Sequence, residues 1–203
     1  MSTIVVVKKA GRAVIAADTM TTSGSTKISA HYLAGRSKIH PNADGYIGTV
    51  GSAAHNNVLA SLIKHHSKKL SFKGVSDGFE TMRKLHPILK DGYFINTSEG
   101  RDDDDYESSQ MTMLVANPYG IFEIGSWRDV FEYERFWAVG SGRDYALGAM
   151  YAVYDQLETP EQIAEIGVSA GCEFDDGSGL PFTMHSVSLM ASVADAAPAK
   201  SSN

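Results

Sequence analysis

The chain has 203 residues, 43% of them hydrophobic and 21% charged, a composition typical of one soluble globular domain. Its net charge of −6 disfavours nucleic acid as the main partner, and no apolar run approaches the roughly 20 residues of a membrane-spanning helix. A single cysteine, Cys172, excludes an internal disulfide, and an apolar strand stands where a signal peptide would begin, so we expect a cytoplasmic protein with no membrane partner.

Two apolar segments open the chain and predict a β-hairpin. Residues 3–8 and 12–18 are rich in Val, Ile, Ala and Thr, and Gly11 between them supplies the bend. Terminal residues usually fray, whereas here a strand of core composition follows Ser2 directly. Ser2 is small enough for methionine aminopeptidase to remove Met1, which would leave a hydroxyl and a free α-amine on one residue. This start therefore predicts an N-terminal nucleophile.

The first half of the chain continues with a predicted loop, short strands and two helices. Threonine, serine and glycine dominate residues 19–29, which is typical of a loop. Apolar spacing and turn signals then predict a short strand at 38–39, a strand at 46–50, a helix capped by Ser52 and reaching about residue 70, a helix from 77 to about 84 that Pro87 ends or kinks, and a solvated acidic loop containing 102–105. Adjacent carboxylates without glycine spacing predict surface rather than a metal site.

The second half predicts a further hairpin, a strand, two helices and a last strand. The predicted elements are strands at 110–116 and 120–124, a strand at 136–139, helices at 143–156 and from 160 to about 170, and a strand at 182–191. Residues 194–203 are small and polar and predict a flexible tail, which leaves 1–193 as a single domain. Apolar strands buried on both faces indicate an α+β fold, a four-layer αββα sandwich of two antiparallel sheets between helix layers.

Several short motifs, in this order, resemble the proteasome β-subunit family of N-terminal nucleophile hydrolases. They are the opening STIVVVK, VIAAD ending at Asp18, AADTMTT, Ser-Lys-Ile at 37–39, Gly-Ser-Ala-Ala at 51–54, Gly-Ser-Gly at 140–142, and Asp175 three residues ahead of Ser178-Gly179. The resemblance covers about residues 2 to 190 and is closest to small bacterial members, the HslV peptidase and the bacterial proteasome homologue BPH. It implies the same αββα fold, with no cofactor and no metal.

The resemblance also implies a role for each residue that matches a motif. Ser2 takes the position of the nucleophile and its α-amine that of the base, while Asp18 and Lys38 match the family's acid and lysine. The remaining matches are Ser141, Asp175 and Ser178 around the amine, the Gly51 N–H at the oxyanion, and the substrate contacts Thr22, Thr49, Gly51 and Ala53. The family's usual nucleophile is threonine, whose γ-methyl restricts χ1, so we expect serine to change the rate more than the reaction.

The implied activity is hydrolysis of polypeptides inside a chamber of stacked rings with six or seven copies each. The implied partners are polypeptide substrates and further copies of the chain, and an ATP-dependent unfoldase is left open. Two alternatives stand beside this interpretation: a ring-assembly protein of the same fold whose site is unprocessed or too slow, and a small-molecule amidase of the wider class. The remaining reactive residues favour structural roles, with His65 and His66 solvated and Cys172 packed.

Overall fold

The computed structural model describes residues 1–35, 37–98 and 105–191. The strands are β1 (Ile4–Lys9), β2 (Arg12–Asp18), β3 (Thr21–Ser23), β4 (Thr26–Ile28), β5 (Ile39–Pro41), β6 (Tyr46–Val50), β7 (Thr112–Asn117), β8 (Gly120–Ile124), β9 (Val130–Tyr133), β10 (Phe136–Val139) and β11 (Phe182–Ser188). The helices are α1 (Ala53–His66), α2 (Val75–Pro87), α3 (Arg143–Val153) and α4 (Pro160–Phe174). The predicted tail at 194–203, the domain boundary at 193 and most of the acidic run lie outside the described residues.

The predicted opening hairpin forms the centre of the first sheet. This sheet has four antiparallel strands in the order β10-β1-β2-β11. Ile4 of β1 lies opposite Ala17 of β2 on one side and opposite Val139 of β10 on the other. Because β1 has a hydrogen-bonded neighbour on each side, the backbone that follows Ser2 is held in the middle of a sheet rather than at a free edge.

The second sheet contains five antiparallel strands in the order β5-β6-β7-β8-β9. Its β7–β8 hairpin agrees with the prediction, and the side chain of Asn117 accepts hydrogen bonds from the backbone N–H groups of Tyr119 and Gly120 in the turn. The edge strand β9 was not predicted. Its two central residues, Phe131 and Glu132, are both exposed, so the alternation that marks a half-buried strand is missing there.

Alternate residues of β1 face different layers of the molecule. Ile4 and Val6 pack between the two sheets, whereas Val5 and Val7 pack against α3 and α4. The second sheet is covered in the same way by α1 and α2, whose buried residues include Leu59, Leu62, Met82 and Leu85. This arrangement of helices, sheet, sheet and helices confirms the predicted four-layer αββα sandwich.

Several predicted boundaries differ from the observed ones. α1 ends at His66 and a 3₁₀ turn follows at Ser67–Lys69, so the predicted extension to about residue 70 is wrong. α2 runs to Pro87, where the missing N–H breaks the helical bonding, and the chain continues as a π-helical turn at Ile88–Gly92. α3 and β11 each end three residues earlier than predicted, at Val153 and Ser188. No helix within the described ranges is long and apolar enough to cross a membrane.

A two-stranded ribbon, β3–β4, replaces part of the loop predicted at residues 19–29. Thr21 lies opposite Ile28 and Ser23 opposite Thr26. Both strands are short and mostly polar, and neither has a buried face, so hydrophobic periodicity could not reveal them. The ribbon lies beside the opening of the candidate site described below.

Candidate active site

Lys38 joins the hydroxyl of Ser2 to a buried carboxylate. Its Nζ lies 3.0 Å from Ser2 Oγ and 2.7 Å from Asp18 Oδ1. The hairpin register explains why Ser2 and Asp18 lie close together, because Ser2 precedes β1 and Asp18 ends β2 at the same end of the hairpin. There the N–H of Asp18 donates to the carbonyl of Thr3. Lys38 comes from the segment before β5 in the other sheet. The two sheets therefore hold the hydroxyl and the ammonium in direct contact.

Asp18 has no exposed surface, and its carboxylate is fully hydrogen-bonded. Besides Lys38, Oδ1 accepts a bond of 3.0 Å from the N–H of Thr3. Oδ2 accepts bonds of 3.1 Å and 3.2 Å from the backbone N–H groups of Met20 and Gly179. A buried charge is tolerated only when it is paired and hydrogen-bonded, and Asp18 meets both conditions. Its negative charge fixes the position of the Lys38 ammonium.

A chain of hydroxyls and one carboxylate leads inward from the Ser2 nitrogen. The N–H of Ser2 donates to Ser141 Oγ at 3.1 Å. Ser141 and Ser178 then donate to the same oxygen, Asp175 Oδ2, at 2.8 Å and 2.6 Å. Thr3 Oγ1 lies 2.7 Å from Ser178 Oγ, and because Ser178 gives its one proton to Asp175, the hydroxyl of Thr3 is the donor in that contact. All three residues predicted around the amine therefore belong to one network.

Two glycines of the predicted Gly-Ser-Gly motif allow the backbone around Ser2 to pack closely. A Cβ added at Gly140 would lie 2.0 Å from the carbonyl oxygen of Ser2, and Gly140 has a φ of +100°. A Cβ added at Gly142 would lie 2.0 Å from Thr3 Oγ1. Any side chain at either position would displace the residues next to the candidate nucleophile.

The four predicted substrate-contact residues line one cavity of about 260 Å³ beside Ser2 and Lys38. Thr22 comes from the β3–β4 ribbon and Thr49 from β6, while Gly51 and Ala53 belong to the turn between β6 and α1. The hydroxyl of Thr49 donates to the carbonyl of Thr112 at 3.1 Å, which fixes its side chain. The structure thus brings every sequence-predicted site residue into the cavity or the network behind it.

Met1 is attached to Ser2 and lies at the mouth of this cavity, with 52% of its surface exposed. The Ser2 hydroxyl donates to the Met1 carbonyl oxygen. While this peptide bond is intact, the nitrogen of Ser2 is an amide nitrogen, which has no basic lone pair. The hydroxyl, lysine and carboxylate are in place, whereas the base would appear only after the Met1–Ser2 bond is cleaved.

The other reactive side chains do not join this site. Burial raises the pKa of the Cys172 thiol to about 12, and the nearby negative charge of Asp18 acts in the same direction. The thiol is therefore a poor nucleophile at neutral pH. His65 and His66 line a shallow depression on the outer helical layer instead. Over residues 1–35, 37–98 and 105–191, no group of three or more His, Cys, Asp or Glu side chains could hold a metal ion.

Sequence reasoning missed several groups at the site. Thr3 reads as an ordinary strand residue, and nothing in its neighbours signals that its hydroxyl is buried against Ser178. The backbone donors of Met20 and Gly179 carry no sequence signal at all. His55 could have been found, because it occupies the third position of α1, where a side chain can complete a capping box with Ser52.

Comparison with solved structures gives close relatives over nearly the whole chain. The structure of Thiobacillus denitrificans BPH is 40% identical and covers 94% of this chain and 100% of that chain, with a TM-score of 0.86. The structure of the same protein in complex with epoxomicin is also 40% identical, covers 93% of this chain and 99% of that one, and has a TM-score of 0.85. Eukaryotic HslV from Trypanosoma brucei is 18% identical over 92% of this chain and 99% of its own, with a TM-score of 0.65, and supports the fold alone.

Curated sequences of lower identity also include proteasome-like peptidases. The ATP-dependent protease subunit HslV of Borreliella afzelii is 28% identical over 152 residues, which cover 74% of this chain and 76% of the relative. No family model matches the chain. With 40% identity to BPH over almost its full length and the αββα fold in common, the chain belongs to the proteasome β-subunit family of N-terminal nucleophile hydrolases and is a proteasome-type peptidase.

Proposed function

We propose that the Ser2 hydroxyl is the nucleophile of this peptidase and that the α-amine of Ser2, freed by cleavage of the Met1–Ser2 bond, is its base. The observation that carries the proposal is the position of Lys38, 3.0 Å from Ser2 Oγ and 2.7 Å from Asp18 Oδ1. An ammonium at hydrogen-bond distance stabilises negative charge as it develops on the attacking oxygen. Serine would thus fill a position that the family usually gives to threonine.

The proposed reaction proceeds by acyl transfer to Ser2. The free amine takes the hydroxyl proton while Oγ attacks the carbonyl carbon of the scissile peptide, and a tetrahedral intermediate forms. The protonated amine then gives that proton to the leaving nitrogen, the carbon–nitrogen bond breaks, and an ester remains on Ser2. Water, deprotonated by the same amine, attacks the ester and releases the acid with the free hydroxyl.

The network behind Ser2 supports the orientation that this reaction needs. Because the protons of Ser141 and Ser178 are both donated to Asp175, Ser141 Oγ is left as an acceptor toward the Ser2 nitrogen. An amine that donates one N–H to Ser141 has its lone pair free for the Ser2 hydroxyl. Asp175 is 9% exposed, so its charge-assisted bonds are partly shielded from water and hold this direction firmly.

The cavity beside Ser2 supports the binding of an extended peptide. In the proposed complex the N–H of Gly51 meets the oxyanion, and the backbone of Thr22 pairs with the substrate as an added strand. Gly51 and Thr22 line the same cavity from opposite elements, the β6–α1 turn and the β3–β4 ribbon. Thr49 and Ala53 would contact the side chain next to the cleaved bond, since they lie in the same lining.

We further propose that the subunits form stacked rings of six or seven copies in the cytoplasm, with the active sites inside. The Borreliella relatives are named as subunits of an ATP-dependent protease, which supports testing an ATP-dependent unfoldase as a partner. Light scattering should give a mass many times the 21.9 kDa of one chain. A monomer at micromolar concentration would contradict the chamber and favour the small-molecule amidase.

An inactive assembly protein of the same fold is the second candidate: with the Met1–Ser2 bond uncleaved, the Ser2 hydroxyl contacts the Met1 carbonyl and Ser2 has no free α-amine. Intact mass spectrometry of the protein from its native cell decides between the two. Loss of residue 1 from most chains supports the proposal, and its retention on nearly all of them contradicts it.

Epoxomicin provides the chemical test, because the related BPH structure was determined in complex with it. We expect processed protein to gain the mass of one inhibitor on the peptide that begins with Ser2, and Ser2→Ala to gain none. Peptide mapping after incubation measures both. An adduct on another residue, or one that persists in Ser2→Ala, would place the nucleophile elsewhere.

A further inference from the structure

His55 completes the N-terminal cap of α1 in an unusual way. Ser52 is the capping residue, and its Oγ accepts a bond of 3.2 Å from the N–H of Ala54. In return His55 Nδ1 accepts a bond of 3.3 Å from the N–H of Ser52. Glutamate or glutamine usually supplies this second bond. Here a partly buried imidazole takes that place, directly beside the cavity wall.

Gly51 lies between this cap and the end of β6. On one side Val50 pairs with Thr112 of β7, which fixes the strand. On the other side the N–H of Ser52 is held by His55. Gly51 has a φ of +121°, a conformation that favours glycine, and it has no side chain that could restrain its backbone. The N–H of Gly51 belongs to the Val50–Gly51 peptide group, so its direction is restrained from one side by the pairing of Val50 and from the other by the held Gly51–Ser52 peptide group.

The imidazole also occupies the space beside Gly51. A Cβ added there would lie 2.6 Å from His55 Nδ1. The ring thus packs against the glycine and bonds the next N–H along the chain. Burial lowers the pKa of His55, so at neutral pH the ring is uncharged and Nδ1 keeps the lone pair that accepts from Ser52.

We infer that His55 is a positioning residue for hydrolysis: by holding the N–H of Ser52 it fixes the Gly51–Ser52 peptide group and so restrains the rotation of Gly51, whose own N–H in the preceding peptide group stabilises the oxyanion. The inference rests on the proposed function, because it assigns the oxyanion to the N–H of Gly51. His55 does not itself line the cavity, so it acts through the Gly51–Ser52 backbone and not on the substrate. Its loss should lower kcat and leave KM unchanged, since the oxyanion contact strengthens in the transition state.

A pair of variants of equal length separates the hydrogen bond from the bulk of the side chain. His55→Gln keeps an acceptor for the N–H of Ser52, and His55→Met keeps a similar volume but has only a weak acceptor. We expect kcat for a fluorogenic peptide to stay within about twofold of wild type in His55→Gln and to fall about tenfold in His55→Met, part of the 10²–10³ that a lost oxyanion donor costs. KM should stay within about twofold in both.

Two control variants separate the role of His55 from that of Ser2. His65→Ala removes an exposed histidine from the same helix and should not change kcat. Ser2→Ala tests the proposed function separately: activity that survives it refutes the nucleophile whatever His55 does. Where Ser2→Ala abolishes turnover, equal kcat values for His55→Gln and His55→Met, or a change confined to KM, would overturn the positioning role and leave the nucleophile intact. Light scattering on each sample confirms equal assembly.

Discussion

The two walls of the cavity are built in different ways. The nucleophile wall is defined by Ser2 and Asp18, which are buried, and by Lys38, which is half-buried, and Asp18 alone accepts four hydrogen bonds. The substrate wall, formed by the β6–α1 turn and the β3–β4 ribbon, is open: Gly51, Ser52 and Ala53 are all exposed. On that wall the turn is restrained by the capping bonds between Ser52 and α1, including the one to His55.

This difference predicts how substitutions on each wall affect stability and activity. On the nucleophile wall charges are desolvated and mutually paired, so removing one partner leaves another buried and unsatisfied, at a cost of about 3–5 kcal/mol. On the substrate wall the groups are solvated, and a change there alters direction more than stability. Variants of the first wall should therefore cost activity and stability together, and variants of the second mainly activity.

The largest effect is expected at the nucleophile itself. Ser2→Ala and Lys38→Ala should each lower peptide hydrolysis by about 10²–10⁴, the factor associated with a general base or its electrostatic partner. Ser2→Thr should keep or raise the rate, because the added methyl restricts χ1. Lys38→Arg should not restore it, since the guanidinium is larger and planar. Turnover of a fluorogenic peptide by purified assemblies measures all four variants.

Stability data on the same wall separate the fold from the chemistry. Lys38→Ala leaves Asp18 buried without a cation and should lower the melting temperature. Lys38→Met combined with Asp18→Asn removes both charges but should not restore the melting temperature, because the amide NH2 faces at least one of the backbone N–H groups that donate to Asp18. Neither should recover activity. An active double variant would show that the ion pair serves only the fold. Lys69→Ala, an exposed lysine outside the site, serves as the control.

The next effect tests the substrate wall. Gly51→Ala adds a Cβ that meets His55 at 2.6 Å in a conformation with φ of +121°. Either the turn or the His55 ring must shift, and both movements disturb the proposed oxyanion donor, so we expect kcat to fall by about 10²-fold. Assembly should be unchanged because the turn is exposed. Steady-state kinetics measure kcat of this variant, and a value within threefold of wild type would exclude Gly51 from the oxyanion site.

The same contrast explains how much the sequence could predict. The strands next to Ser2 and Asp18 have strong apolar patterns, which predicted the hairpin and the layers. The roles of Asp18 and Lys38 were predicted only through the resemblance to the proteasome β-subunit family. The β3–β4 ribbon and β9 have no buried alternation, so their pairing depends on tertiary contacts that no local pattern records. Thr3 was missed for the same reason, because its role comes from a residue 175 positions away.

A smaller effect is expected from Thr3, which lies at the far end of the network. Thr3→Val keeps the shape of the side chain but removes the donor to Ser178, so Ser178 and Asp175 lose one restraint. We expect kcat to fall about tenfold, an effect transmitted through several hydrogen bonds. Thr3→Ser keeps the hydroxyl and should retain most of the rate. Equal losses in the two variants would point to packing against Gly142 and Gly171 as the cause.

The smallest effect is expected at Cys172, which lies behind the nucleophile wall and outside the network. Because burial raises its pKa to about 12, the thiolate fraction at pH 8 is on the order of 10⁻⁴. The sign of the shift means that reactivity toward alkylating reagents should grow only as the pH rises toward that value. We therefore expect iodoacetamide at pH 8 to leave peptidase activity intact, and Cys172→Ser to stay within twofold of wild type. Rapid inactivation by iodoacetamide that Cys172→Ser prevents would show that the thiol is accessible and ionised, and that the wall behind Ser2 is less closed than its hydrogen bonds indicate.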